Sequence, residues 1–209
     1  MHDKRVEFIL ENCEDLPLFP LRTVLFPGGV LPLRIFEPRY VDMVSRCMRE
    51  GKGFGVVLIR QGSEARLDPQ TEQPDIFTVG TEAVIVDFNQ TDNGLLGIIT
   101  NGARKFTVMD TYEREDHLLM GKVAWLPDEP AGELLDEHKV LIAVLQQLTQ
   151  HPLVQKLKLE VDFEEARSVS LRLADLLPVE PEIKQALLQL RWPRERLTEL
   201  RRIVGKFQQ

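Results

Sequence analysis

The apolar positions change rhythm once along the chain, near Pro127-Asp128-Glu129-Pro130. Before that point they form short β-branched runs broken by Gly and Pro; after it they recur at helical spacing. The pattern predicts an α+β protein: a β-rich N-terminal domain over residues 1–127, an acidic linker, and an all-helical C-terminal domain over residues 131–209.

In the first half, Leu16-Pro17-Leu18-Phe19-Pro20-Leu21 predicts an edge strand or an extended arm, because proline gives a central ladder no N–H. Pro27-Gly28-Gly29 predicts a turn, and Val30–Ile35 a strand that again carries a proline. Pro38 suits the first position of a helix whose apolar stripe is Tyr40, Val41, Val44 and Met48, ended by Gly51 and Gly53. Residues 53–59 read as a buried strand, Gln61–Pro74 as a polar loop. Phe77–Phe88 and Leu95–Thr100 predict a hairpin across Asp92-Asn93-Gly94, with two more strands at Lys105–Met109 and Leu118–Trp125. Several strands around one helix imply a small, strongly bent sheet or half-open barrel.

In the second half, Leu134, Leu135, His138, Leu141, Ile142, Leu145 and Leu148 share one helical face that His151-Pro152 ends. Asp162 and Glu165 have the spacing of a capping box for a helix stopped at Pro178. Pro181 and Pro193 start two further helices.

Composition narrows the function classes. Hydrophobic residues make up 43% of the 209 and charged residues 28%, an ordinary globular balance. The net charge of -7 argues against a binder of phosphate backbones unless cations are segregated. Two cysteines, Cys13 and Cys47, read as free thiols of a reducing cytoplasm. Neither a secretory signal nor a membrane span is visible, so a cytoplasmic protein is expected.

Catalytic signatures are missing. The Gly-Lys pairs at Gly51, Gly121 and Gly205 have no hydroxyl after them to hold magnesium. None of Ser45, Ser63, Ser168 and Ser170 has the glycine-flanked setting of a nucleophile. The four histidines lack metal-ligand spacing; His138, on an apolar face, reads as a satisfied core histidine. Glu113, Glu115 and Asp116 read as a solvated turn. No cofactor, no metal and no enzymatic activity are expected.

Three blocks carry a resemblance. Leu16–Arg22 with Val24-Leu25-Phe26-Pro27, Leu31-Pro32-Leu33, Ile35-Phe36-Glu37 and Arg39-Tyr40 is the first. Phe77-Thr78-Val79-Gly80-Thr81 is the second, and Gly102, Arg104 and Phe106 the third. In order and spacing they resemble the N-terminal domain of Lon proteases, and Leu173–Pro178, Lys184–Leu188 and Arg196-Leu197 extend the likeness. Trp192 departs from it: the family usually has a small polar cap before the last helix. The resemblance implies a PUA-like β pseudo-barrel and substrate recognition without catalysis, by a domain without the ATPase and peptidase that normally follow it. It is also similar to the Lon-like domain of cereblon. The implied partner is an unfolded or extended polypeptide, or a partner protein; an RNA-binding PUA-like module is the alternative.

The residues suggest two binding surfaces. The arm from Leu16 to Arg39 brings aromatic and arginine side chains together, with Arg22, Phe26, Arg34, Phe36 and Arg39 as candidate partner-binding residues. The alternative use of the same residues is packing, with the aromatics in the barrel and the arginines paired with Glu37 and Asp42. The second surface is the last helix, where Arg191, Arg194, Arg196, Arg201, Arg202 and Lys206 outnumber Glu195 and Glu199. A solvated face and a patch for an acidic partner or RNA are its two readings.

Overall fold

The computed structural model describes residues 13–64, 72–90 and 95–207. The expected turn at Asp92–Gly94 and part of the Gln61–Pro74 loop lie outside them. The chain divides into two compact units: residues 1–27 with 31–127, and residues 28–30 with 128–209.

The first unit contains strands β1 (Glu14–Leu21), β2 (Val30–Ile35), β3 (Phe54–Gln61), β4 (Asp75–Ile76), β5 (Val79–Gln90), β6 (Leu96–Glu113) and β7 (Leu119–Trp125), with helix α1 (Pro38–Glu50). Pairing runs β1–β7–β6–β5–β3, and β3 returns to β1 in parallel, so five strands close on themselves. β2 adds to β6, and β4 to β3.

Strand β1 is therefore not an edge, contrary to the expectation from its prolines. Its first half, Glu14–Pro17, pairs with β7; its second half, Leu18–Leu21, pairs with β3. Because each half has a ladder on one side only, a missing N–H has a side on which it breaks no pairing. Pro32 does follow the edge rule, since β2 pairs with β6 alone among the described residues.

Alternation along β1 sorts the core into two. Leu16 and Leu18 point into the ring with Val57, Phe106, Val108, Leu119 and Val123. Phe19 and Leu21 point outward, under α1, with Phe54, Val56 and Ile98. The ring interior is so narrow that a Cβ at Gly55 or Gly80 would stand 2.6 Å from Phe106 Cζ. A Cβ at Gly102 would meet the Phe26 carbonyl oxygen at 2.1 Å.

Helix α1 begins with Pro38 at its first turn and ends at Gly51, whose φ of 63° no ordinary side chain favours. It buries Tyr40, Met43, Val44 and Cys47, an i, i+3, i+4, i+7 set. The expected stripe was rotated by part of a turn: Met48 is 41% exposed. Burial pushes the Cys47 thiol up to about 11, so it is inert at neutral pH.

β6 is one strand of 18 residues where two were expected. The polar stretch Asn101–Arg104 coincides with a register irregularity opposite Thr81–Ala83, which lets the strand run on through it.

The second unit holds a 3₁₀ turn (Asp136–His138) and helices α2 (Lys139–Thr149), α3 (Pro152–Gln155), α4 (Ala166–Leu176), α5 (Pro181–Gln189) and α6 (Pro193–Phe207). α4 packs on α2, α5 and α6. The expected capping box does not form: Glu165 takes the cap position without a side-chain bond, and Asp162 Oδ1 accepts the Glu164 N–H instead. Backbone carbonyls do the capping: Ala131 and Gly132 accept the N–H groups of Arg167 and Ala166 at 2.9 and 3.4 Å.

Glu129, expected in a solvated linker, is instead part of this unit's interior. The Arg196 guanidinium, with no exposed surface, donates to both Glu129 oxygens at 2.8 and 2.6 Å. Its remaining N–H groups reach Leu187 O, Leu190 O and Ser170 Oγ. All five donors of the group are thus matched. His138 is 3% exposed and its Nδ1 accepts the Leu135 N–H at 3.0 Å. Burial holds its pKa below the usual histidine value.

Candidate functional site

Packing absorbs three of the five arm residues. Phe26 has no exposed surface and cannot touch a partner. Arg39 is almost covered; it pairs with Glu37 at 2.9 Å, donates to His117 O at 3.1 Å and lies 4.5 Å over the Tyr40 ring. Burial in turn lifts the Tyr40 hydroxyl to about 12, so the ring faces Arg39 as a neutral phenol. Arg22 is exposed, but its side chain donates to Gly62 O and its backbone N–H to Glu64, tying the end of β1 to the loop after β3.

Arg34 and Phe36 remain available. Both are exposed, Phe36 by 59%. Arg34 lines an open groove of about 300 Å³ between β2 and the far end of the β5–β6 ladder. Pro32, Leu33, Phe88 and Ile99 supply its apolar surface; Asp87 and Asn89 supply polar atoms.

The most exposed apolar residue of this groove, Phe88, was not among the expected site residues; it is 59% exposed, and Val86 and Val84 of the same strand, outside the groove's lining, are 52% and 39% exposed. A register shift between Ile85 and Asp87 makes Val86 an extra residue and sets Phe88 opposite Ile98. A signal was present: Val84-Ile85-Val86 and Phe88 put apolar residues at both parities of a strand, more than one buried face requires.

Among the described residues, no group of three or more His, Cys, Asp or Glu side chains could hold a metal ion. Ser45 donates to Val41 O, Ser170 to Arg167 O, and Ser168 accepts the Asp162 N–H. The Glu113–Asp116 turn is internally bonded: Glu113 holds His117, and Asp116 accepts the Leu118 N–H and pairs with Arg46. Among the described residues, no helix is long and apolar enough to cross a membrane. What the site offers is a shaped, partly apolar surface with one open guanidinium.

Residues 15–206 match the family described as the ATP-dependent protease La (LON) substrate-binding domain. A solved Lon N-terminal domain protein from Xanthomonas campestris is 36% identical, with a TM-score of 0.71, covering 90% of this chain and 96% of that one. The N-terminal domain of a Mycobacterium avium complex Lon protease shares the fold at 19% identity and a TM-score of 0.53, over 90% of this chain and 96% of that one. Among curated proteins, a Lon protease of Bacillus thuringiensis is 26% identical over 93% of this chain and 25% of its own length. One from Anaeromyxobacter dehalogenans is 32% identical over 53% of this chain and 13% of its own length. The chain thus spans a quarter or less of the length of these two curated Lon proteases.

Proposed function

The chain belongs to the Lon substrate-binding domain family, and on that premise we propose that it recognises extended polypeptide in the β2–β5–β6 groove and does no chemistry itself. The observation that supports this is Phe88, an aromatic ring more than half exposed that lines the same groove as the exposed Arg34. Exposing such a ring is unfavourable unless something covers it. An apolar side chain of the bound segment packs on Phe88, Pro32 and Leu33. Arg34, Asp87 and Asn89 bond its backbone or flanking polar groups. Arg22, Phe26 and Arg39 act by holding the scaffold, and Phe36 extends the apolar surface.

Affinity for a flexible segment is modest, because each ordered ligand residue loses conformational entropy. Dissociation constants in the micromolar range or weaker follow. The two units act as a β pseudo-barrel reader and a helical support, and the protein works in the cytoplasm, where Cys13 and Cys47 stay reduced. RNA is the alternative ligand for this surface. A filter-binding assay at low salt separates the two: retention of an unfolded polypeptide but not of RNA supports the proposal, and the reverse contradicts it.

A further inference from the structure

A second exposed aromatic lies on the helical unit, in the short connection between α5 and α6. Trp192 is 54% exposed and stands at the position that caps α6, where its carbonyl accepts the Arg196 N–H. An indole cannot accept the remaining unpaired N–H groups of a helix start, as Ser, Thr, Asp or Asn would. Neither core packing nor capping therefore accounts for a tryptophan here.

The charges around it are unevenly matched. Arg196 is neutralised by Glu129, Arg201 by Glu137 and Arg202 by Glu199. Arg191 and Arg194, which bracket Trp192, are exposed, and among the described residues their side chains have no hydrogen bond or ion pair. Glu195 follows in the first helical turn, where the helix dipole already favours it. In a chain of net charge -7, two uncompensated guanidinium groups thus flank a half-exposed indole.

We propose that Trp192, Arg191 and Arg194 form a docking site for a short acidic segment of a partner protein, anchored by an aliphatic or aromatic side chain against the indole. Tryptophan and arginine are the residues that dominate interface energetics. Two open guanidinium groups match two carboxylates. They do not match a nucleic acid: two phosphate contacts release too few counterions to hold a polyanion against the chain's overall negative field. This inference is independent of the groove on the β unit.

The probes are a labelled peptide of alternating glutamate and leucine, the same peptide with lysine for glutamate, and an oligouridine of equal length, each titrated by fluorescence anisotropy. In a Phe88→Ser background, where the groove on the β unit is weakened, the Glu–Leu peptide is expected to bind, weakly and more weakly as salt rises, while the Lys–Leu peptide binds about tenfold more weakly or not at all. Trp192→Ser and the pair Arg191→Glu/Arg194→Glu each weaken it about tenfold or more; neither lowers thermal stability, because these side chains are exposed, and Trp192→Ser raises it by giving α6 a capping hydroxyl. Holding Phe88→Ser constant separates this site from the groove. Failure of the Phe88→Ser protein to bind the Glu–Leu peptide overturns the proposal, as does binding that survives both helical-unit variants in that background. Oligouridine binding lost in those variants, without peptide binding, replaces the partner with RNA.

Discussion

The ring of β-strands and the helical unit solve the burial problem by opposite means. Inside the ring the limiting quantity is space: Gly55 and Gly80 exist as glycines because Phe106 fills the volume their Cβ atoms would need. In the helical unit it is charge. Arg196 is fully buried, and what makes that tolerable is a bidentate carboxylate and three further acceptors around one guanidinium. Asp175 extends the contrast: burial pushes its carboxyl up, opposed by Arg172 beside it at 3.3 Å and by Lys184. A ring built on close approach fails when volume is added. A bundle built on matched charge fails when one partner is removed.

The largest expected effect is in the helical unit. Arg196→Met leaves the Glu129 carboxylate buried without its partner and costs about 3–5 kcal/mol in urea unfolding. Adding Glu129→Leu recovers most of that loss, since an apolar pair replaces a matched one. If the double variant is no better than the single one, charge matching is not what holds this unit.

Gly80→Ala comes next, at about 3 kcal/mol, because its Cβ meets Phe106 Cζ and the Val56 carbonyl oxygen, each at 2.6 Å, and the carbonyl cannot rotate away. Far-ultraviolet melting checks it; a loss as small as that of a surface substitution would deny that space limits the ring.

A third, smaller effect is a pH dependence confined to the helical unit. Burial lowers the folded-state pKa of His138, so below the unfolded-state value near 6.5 the unfolded chain binds the proton and the native one does not. Stability therefore falls as pH drops through that value. His138→Asn keeps an acceptor for the Leu135 N–H but does not titrate, and it flattens the slope of melting temperature against pH.

Phe88→Ser is expected to change stability least, within about 0.5 kcal/mol, because the ring is already in water. Its effect is on polypeptide binding, which weakens about tenfold.

How much of this the sequence disclosed follows the same division. Proline and glycine marked the starts of α1, α5 and α6 and the end of α1, since their constraints are local and act wherever the residue stands. The closure of the ring was not legible. Pro17 and Pro20 argue against an interior strand only if one ladder runs its whole length, and β1 changes partner between Pro17 and Leu18. Glu129 read as solvent-facing because its partner is 67 residues away. The candidate site was legible in composition but not in exposure. Phe26 and Phe36 are alike in sequence context, yet one has no surface and the other is 59% exposed. Phe88 went unremarked because an exposed face of a strand is visible only as a surplus of apolar residues over what one buried face needs.

The proposed seat of an extended polypeptide is the groove beside Phe88 and Arg34. Titration with a permanently unfolded polypeptide, followed by amide chemical shifts, is expected to move the resonances of Leu33, Arg34, Phe88 and Ile99 and to leave them still in Phe88→Ser; shifts that spare those residues, or that persist unchanged in the variant, would remove the groove from polypeptide recognition.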